Sequence, residues 1–304
     1  MPAHDIDILA AFDPLQRAAE QPQASARRYV IADVFTDTPL EGNGLAVFTD
    51  GRGLSDELMQ RVARELNLSE TVFVLPPERG GDARLRIFTP AEELPFAGHP
   101  ALGSAIVIAG ALARTAVTLE TAAGLVPLEL TREAGQIVSG RMRQPLPTWS
   151  RYAHERALLR ALGVERSALP VEVYDNGPRY VYVGLDRQRA VAELAPDMRA
   201  LADLAPTCAS CFAGSGGSWK MRMFAPGAGV PEDPATGSAA GPLAVHLSRH
   251  GRVGFGEEIE IRQGAEIGRP SLLYACAQGS PERLERVEVA GSAVLVASGE
   301  FVLG

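Results

Sequence analysis

A motif that occurs twice constrains this chain more than any other feature. Arg86-Ile87-Phe88-Thr89-Pro90 recurs as Arg222-Met223-Phe224-Ala225-Pro226. Each copy meets a second proline at the same distance, Pro95 and Pro231. Each then reaches a Gly-X step that opens an apolar, small-residue helix, Gly98-His99 and Gly237-Ser238. The register slips by three residues between that proline and the Gly-X step. Upstream, Asn43-Gly44 precedes the apolar run to Phe48, as Asn176-Gly177 precedes Tyr180-Val181-Tyr182-Val183. A period of about half the chain is far too long for a solenoid. It predicts two related lobes facing one another across a cleft, a preferred place for a small-molecule site.

The 304 residues suffice for two domains of ordinary size, each with its own core. A net charge of -8 and the lack of any basic run argue against nucleic acid as a partner. The best apolar stretch, Ala101 to Ala113, is too short to span a bilayer, so no membrane association is expected. The early segment carries Asp5, Asp7 and Asp13 rather than a basic-then-apolar leader, and a cytoplasmic location is expected. Three cysteines form no disulfide framework.

Residues 1–28 read as a mobile extension, 29–144 as a first lobe, and 145–304 as a second lobe whose terminal strands are free to cross back. The first core strand is expected over Tyr29 to Phe35. Ser55 is placed as the N-cap of a helix that buries Leu58, Met59, Val62, Ala63 and Leu66 and stops at Asn67. The helix beginning at His99-Pro100 is apolar all round and should be buried. Gln144 to Thr148, with two prolines, is the linker. The second lobe is expected to repeat the order: helix Tyr152 to Leu162, strand Val171 to Tyr174, Asn-Gly, strand, helix Met198 to Ala205, strand Trp219 to Phe224, then a buried helix Ser238 to His250. Arg283 to Leu303 alternates like two or three strands, with turns at Gly291 and Gly299.

The two Gly-X helix starts expose unpaired backbone N–H groups, and small residues there let an anion approach. Gly and Ser are also ordinary at helix starts, but two homologous starts beside one cleft favour a site. Asp233 reads equally as an Asp-Pro turn starter or as the acid that holds the His99 imidazole protonated or fixes its tautomer. Glu70, where a helix returns into an apolar strand, is the candidate base, because desolvation would raise its pKa. A lone glutamate at a strand end is otherwise a solvated side chain. Cys208-Ala-Ser-Cys211 lacks two further ligands for zinc and reads as structural. Glu41-Gly42-Asn43-Gly44 fails the nucleotide-loop spacing.

Four stretches together resemble the PhzF-like family: Asn67-Leu68-Ser69-Glu70-Thr71, Arg86 to Pro90, Glu93 to Pro100, and Glu232 to Ala239. The resemblance covers nearly everything after residue 28. Asp175 to Arg179, Gly237 to Leu247 and Glu266 to Leu272 are similar to its phenazine-pathway branch. That branch isomerises trans-2,3-dihydro-3-hydroxyanthranilate to an aminoketone. The resemblance implies an α+β fold like that of diaminopimelate epimerase. Two pseudo-symmetric lobes would each wrap a curved mixed β-sheet around a central buried helix. It implies Glu70 as the acid/base that moves a proton from C3 to C1, with His99, Asp233 and Ser238 assisting. Asn43, Gly98, Thr236 and Gly237 are then the substrate-binding residues.

Related epimerases and proline racemases use a cysteine pair at the two Gly-X positions. Here those positions hold His99 and Ser238, so two-thiol racemisation is not expected. No metal, nucleotide, flavin or other cofactor is expected. The resemblance also implies a homodimer and downstream phenazine-pathway enzymes as partners, beside the small-molecule substrate. Two other readings stay open: a proton-transfer enzyme of the same fold acting on another amino or hydroxy acid, and a non-catalytic carboxylate-binding protein.

Overall fold

The computed structural model describes residues 25–204, 206 and 208–303. The first half runs β1 (Ser25–Val34), β2 (Asn43–Phe48), α1 (Asp56–Leu66), β3 (Glu70–Leu75), β4 (Ala83–Phe88), β5 (Glu93–Leu94), α2 (Gly98–Leu112), β6 (Ala116–Thr121), β7 (Gly124–Glu133) and β8 (Gln136–Gln144). The second half runs β9 (Thr148–Arg151), α3 (Glu155–Leu162), β10 (Glu172–Asp175), β11 (Arg179–Gly184), α4 (Gln188–Ala192), α5 (Met198–Ala202), β12 (Cys208–Ser215), β13 (Ser218–Ala225), β14 (Val230–Asp233), α6 (Gly237–Arg249), β15 (Glu258–Gln263), β16 (Ser271–Gly279) and β17 (Leu284–Leu303). No helix among the described residues is long and apolar enough to cross a membrane.

The halves repeat one pairing scheme, so the fold is two pseudo-symmetric lobes of mixed sheet around buried helices. β2 runs parallel to β3 and β3 antiparallel to β4, as β11 runs parallel to β12 and β12 antiparallel to β13. Ile87 faces Leu94 across β4 and β5, and Met223 faces Asp233 across β13 and β14. These registers align Glu93-Leu94-Pro95 with Glu232-Asp233-Pro234. The proline equivalent to Pro95 is therefore Pro234 and not Pro231. The three-residue slip falls earlier, where the second copy makes an extra turn at Pro226–Ala228. Spacing alone misplaces it because a proline occurs in both registers.

The repeated motif is a structural clamp. Arg86 grips Glu93 with two bonds of 2.7 and 2.6 Å, and Arg222 grips Glu232 with two of 2.8 and 2.7 Å. Each guanidinium also stacks on its own motif's phenylalanine, Phe88 at 5.1 Å and Phe224 at 4.9 Å. Each clamp fixes the short strand that leads into a buried helix.

α1 carries its expected caps: Ser55 Oγ accepts from the Leu58 N–H, and Asn67 is left-handed at φ 51°. α2 buries Ala101, Leu102, Ala105 and Ala109 completely. α6 is buried from Gly237 to Ser248 although Pro242 interrupts its hydrogen bonding. The carbonyl that Pro242 leaves unserved is that of Ser238, and Asn176 Nδ2 donates to it at 2.9 Å.

Three expectations differ from the structure. The first strand begins at Ser25, and residues 25–28 pair with 300–303 of β17; the rest of the expected extension, residues 1–24, lies outside the described residues. The terminal segment is one strand, Leu284–Leu303, not two or three. Gly291 and Gly299 stay in register because their missing side chains admit aromatic rings: an added Cβ at Gly291 would sit 2.3 Å from Phe35, and at Gly299 3.2 Å from Tyr29. α4 was not expected, and α5 is shorter than the Met198 to Ala205 expected.

Candidate active site

The N-termini of α2 and α6 meet. A Cβ on Gly98 would lie 2.4 Å from the backbone N of Ser238, and one on Gly237 would lie 2.7 Å from Phe35. Only glycine lets two helix ends approach this closely. The cavity beside them measures about 440 Å³ and is lined by Glu70, His99, Asp233, Thr236, Gly237 and Ser238 among others. That is an ordinary size for a small-ligand site. Two positive helix ends at one cavity suit a carboxylate or developing negative charge.

Glu70 opens β3, the strand after α1 and its left-handed stop at Asn67. Its Oε2 lies 3.2 Å from His99 Nε2. The two atoms are close but misaligned for a hydrogen bond, so each is a buried polar atom without such a partner. Orphaned buried polar atoms are rare and often mark a site where a ligand completes the bonding. Burial pushes the Glu70 carboxyl well above its usual range, and the Asp233 charge adds to this. Burial lowers His99 to about 3, so its ring is neutral near pH 7 and the contact is no ion pair. Of the two roles open to Asp233, holding the imidazole protonated or fixing its tautomer, the first does not fit a neutral ring.

No hydrogen bond joins Asp233 to His99. Asn43 stands between them: its Nδ2 donates to Asp233 Oδ1 at 2.8 Å and to the Ala235 carbonyl at 3.0 Å, and lies 3.2 Å from His99 Nδ1. Arg269 pins the loop that delivers Asn43, donating to the Gly42 and Leu40 carbonyls at 2.8 Å each. Burial raises Asp233 to about 6, against hydrogen bonds from Thr236, Ser69 and Asn43 that lower it. Ser238 is buried, and its Oγ lies 2.6 Å from Tyr180 Oη.

All eight residues singled out from the sequence thus converge: Glu70, His99, Asp233, Thr236, Gly237 and Ser238 line the cavity, Gly98 forms the helix contact, and Asn43 stands behind His99. The sequence reading missed Cys208, which also lines the cavity. The registers make it the second-lobe equivalent of Glu70, since Thr71 pairs with Phe88 as Ala209 pairs with Phe224. Spacing in the chain hides the equivalence, because Glu70 lies 16 residues before Arg86 (86 − 70) and Cys208 only 14 before Arg222 (222 − 208). Burial pushes the Cys208 thiol up to about 12. It stays protonated at neutral pH, so the site has one carboxylate and no thiolate at the two symmetric positions.

Metal-binding residue types converge at one place among the described residues, Glu172, His246 and His250, near the far end of α6. Arg249 donates to the same Glu172 oxygen at 2.7 Å and stacks on Trp149 at 4.3 Å. The positive charge a metal would bring is already supplied there.

The sequence profile of the PhzC-PhzF family, described as phenazine biosynthesis-like protein, matches residues 32–299. The trans-2,3-dihydro-3-hydroxyanthranilate isomerase of Pseudomonas aeruginosa is 53% identical over 276 residues, covering 91% of this chain and 99% of that one. A crystal structure of a PhzF-family phenazine biosynthesis protein from Bacillus anthracis superposes with a TM-score of 0.79 at 25% identity, over 92% of this chain and 100% of that one. A probable proline racemase from Agrobacterium radiobacter K84 shares the fold at a TM-score of 0.65 and 14% identity, over 91% of this chain and 93% of that one.

Proposed function

The chain belongs to the PhzC-PhzF family of phenazine biosynthesis-like proteins, and from that premise we propose that it is the isomerase that converts trans-2,3-dihydro-3-hydroxyanthranilate to its aminoketone. One observation carries the chemistry: of the two acids Glu70 and Asp233 at the cavity, Asp233 has both oxygens taken by Asn43 and Thr236, whereas Glu70 has its pKa raised and its Oε2 unpartnered.

The substrate's ring is a diene, C4=C5 and C6=C1, with a hydrogen on the saturated C3. Glu70 takes that hydrogen as a proton. The electron pair moves through the diene to C1, where the carboxylate stabilises it, and C1 receives a proton from Glu70. The product is an enol at C3, which tautomerises to the ketone. C1 and C3 flank one carbon, so a single carboxylate serves both. Atoms and oxidation state are conserved, so the step needs a base and a dry pocket and no redox partner. A raised pKa makes Glu70 a stronger base towards a weakly acidic C–H. The substrate carboxylate sits at the paired N-termini of α2 and α6, with Ser238 and Thr236 beside it.

The test is turnover in D2O by wild type and Glu70→Gln, followed by loss of diene absorbance and deuterium at C1. Wild type should convert the substrate and label C1, while the variant loses about 10²-fold or more in kcat and still binds. Turnover surviving in the variant removes Glu70 from the mechanism. A wild type inert towards this substrate refutes the assignment and points to another amino or hydroxy acid.

A further inference from the structure

The cavity residues do not orient themselves. Gln263, the last residue of β15, is 1% exposed and is absent from the cavity wall. Two backbone groups set its amide: its Oε1 accepts the Thr236 N–H at 3.1 Å, and its Nε2 donates to the Asp233 carbonyl at 2.8 Å. The same Nε2 donates to Thr236 Oγ1 at 3.0 Å. A hydroxyl that accepts there turns its own hydrogen outward, towards Asp233 Oδ2 at 2.6 Å. The other carboxylate oxygen, Oδ1, takes the Asn43 amide at 2.8 Å, so the amide nitrogen faces that way and not the oxygen. Its second hydrogen goes to the Ala235 carbonyl at 3.0 Å, so towards His99 Nδ1 at 3.2 Å the amide nitrogen presents N–H groups and nothing that can accept. Nδ1 must therefore be the bare, accepting nitrogen, and the ring hydrogen lies on Nε2, beside Glu70.

We propose that Gln263 is a positioning residue that fixes the Nε2–H tautomer of His99 through a chain of contacts: it holds Thr236 and the Asp233 carbonyl, and so places the Asp233 carboxylate and the Ala235 carbonyl that together orient the Asn43 amide. His99 then acts only as a neutral donor beside Glu70 and cannot compete with it for the C3 proton. The device belongs to one lobe. The pairings of β6 with β4 and of β15 with β13 make Thr121 the first-lobe equivalent of Gln263, and Thr121 donates instead to the Gly124 carbonyl. β15 is seated tightly under the loop: a Cβ at Gly264 would meet the Pro234 carbonyl oxygen at 2.5 Å.

The kinetic part of the test rests on the isomerase reading; the spectroscopic part does not. The imidazole ¹⁵N signals of His99, assigned with His99→Gln among the five histidines, are recorded on substrate-free wild type, Gln263→Met and Thr236→Val. Wild type should show one neutral ring with the hydrogen on Nε2. Both variants should show averaged nitrogens, a mixture of tautomers. Their kcat should fall ~10–100-fold, the scale on which lost orientation of a reacting group is felt, with KM changed less than about 3-fold. Thr236→Val cuts the chain without altering β15, so a folding defect in Gln263→Met leaves the comparison intact. A hydrogen on Nδ1 in wild type overturns the proposal, as does an unmixed tautomer in both variants. A rise in KM at constant kcat overturns it as well. A wild type inert on the substrate counts against the isomerase reading alone, and the nitrogen signals still decide the chain.

Discussion

At the residue scale the site is organised around unsatisfied groups, and such groups lower stability. An acid whose folded pKa is raised is ionised more readily in the unfolded chain. Its contribution is intact below the unfolded value, 4.5 for Glu70, and is lost as pH rises through the folded value. Glu70→Gln is therefore expected to be more stable than wild type at pH 7, by about 0.5–2 kcal/mol. The gain should vanish below about pH 4.5 in thermal unfolding at a series of pH values; a gain that persists at pH 4 would show that ionisation is not its source. His99 acts in the opposite direction: its depressed pKa gives a contribution that is fully present above the unfolded value, 6.5, and is lost progressively as pH falls from there through about 3. Activity needs Glu70 ionised. The acid limb of kcat/KM against pH should lie well above 4.5, the ordinary value, and a limb at 4.5 would contradict the buried base.

Among elements, the two buried helices meet because both begin with glycine. Gly98→Ala puts a methyl 2.4 Å from the Ser238 nitrogen, which is backbone and cannot rotate away. The helix ends must separate, and overpacking of this kind costs about 1–3 kcal/mol. A lower Tm together with a lower kcat is the expected result; normal activity in Gly98→Ala would mean that the helix contact does not set the site. Helix α6 shows the same dependence on neighbours. Pro242 removes a bond inside it, and Asn176, Tyr182 and Gln144 reach in to bond the carbonyls of Ser238, Ala239 and Gly237.

For the molecule as a whole, β17 joins the lobes. Val289 pairs with Ala275 of β16 on one side and with Met142 of β8 on the other, and the end of the strand pairs with β1. Val289→Pro removes a ladder donor from a strand flanked on both sides, which costs about 3 kcal/mol or more. Hydrogen exchange should quicken in β8 and β16 together. Faster exchange in β16 alone would show that the strand does not couple the lobes.

Local chemistry explains what was legible in the chain. The repeated Arg-X-Phe motif, the Ser55 cap, the Asn67 stop and the Gly-X helix starts act within a few residues of themselves, so the sequence by itself determined two related lobes with buried helices and the candidates Glu70, His99, Asp233 and Ser238. Equivalences that depend on register were not legible: Pro234 for Pro95 and Cys208 for Glu70 follow from strand pairings, and one-dimensional spacing offered two prolines. Nor was the single course of β17, since two glycines read as turns until Phe35 and Tyr29 are seen to fill the space beside them. The tertiary structure alone decided the state of His99. Asn43, Asp233, Thr236 and Gln263 come from β2, the β14 to α6 connection and β15, and a hydrogen-bond polarity passed between distant segments has no signature in any one of them.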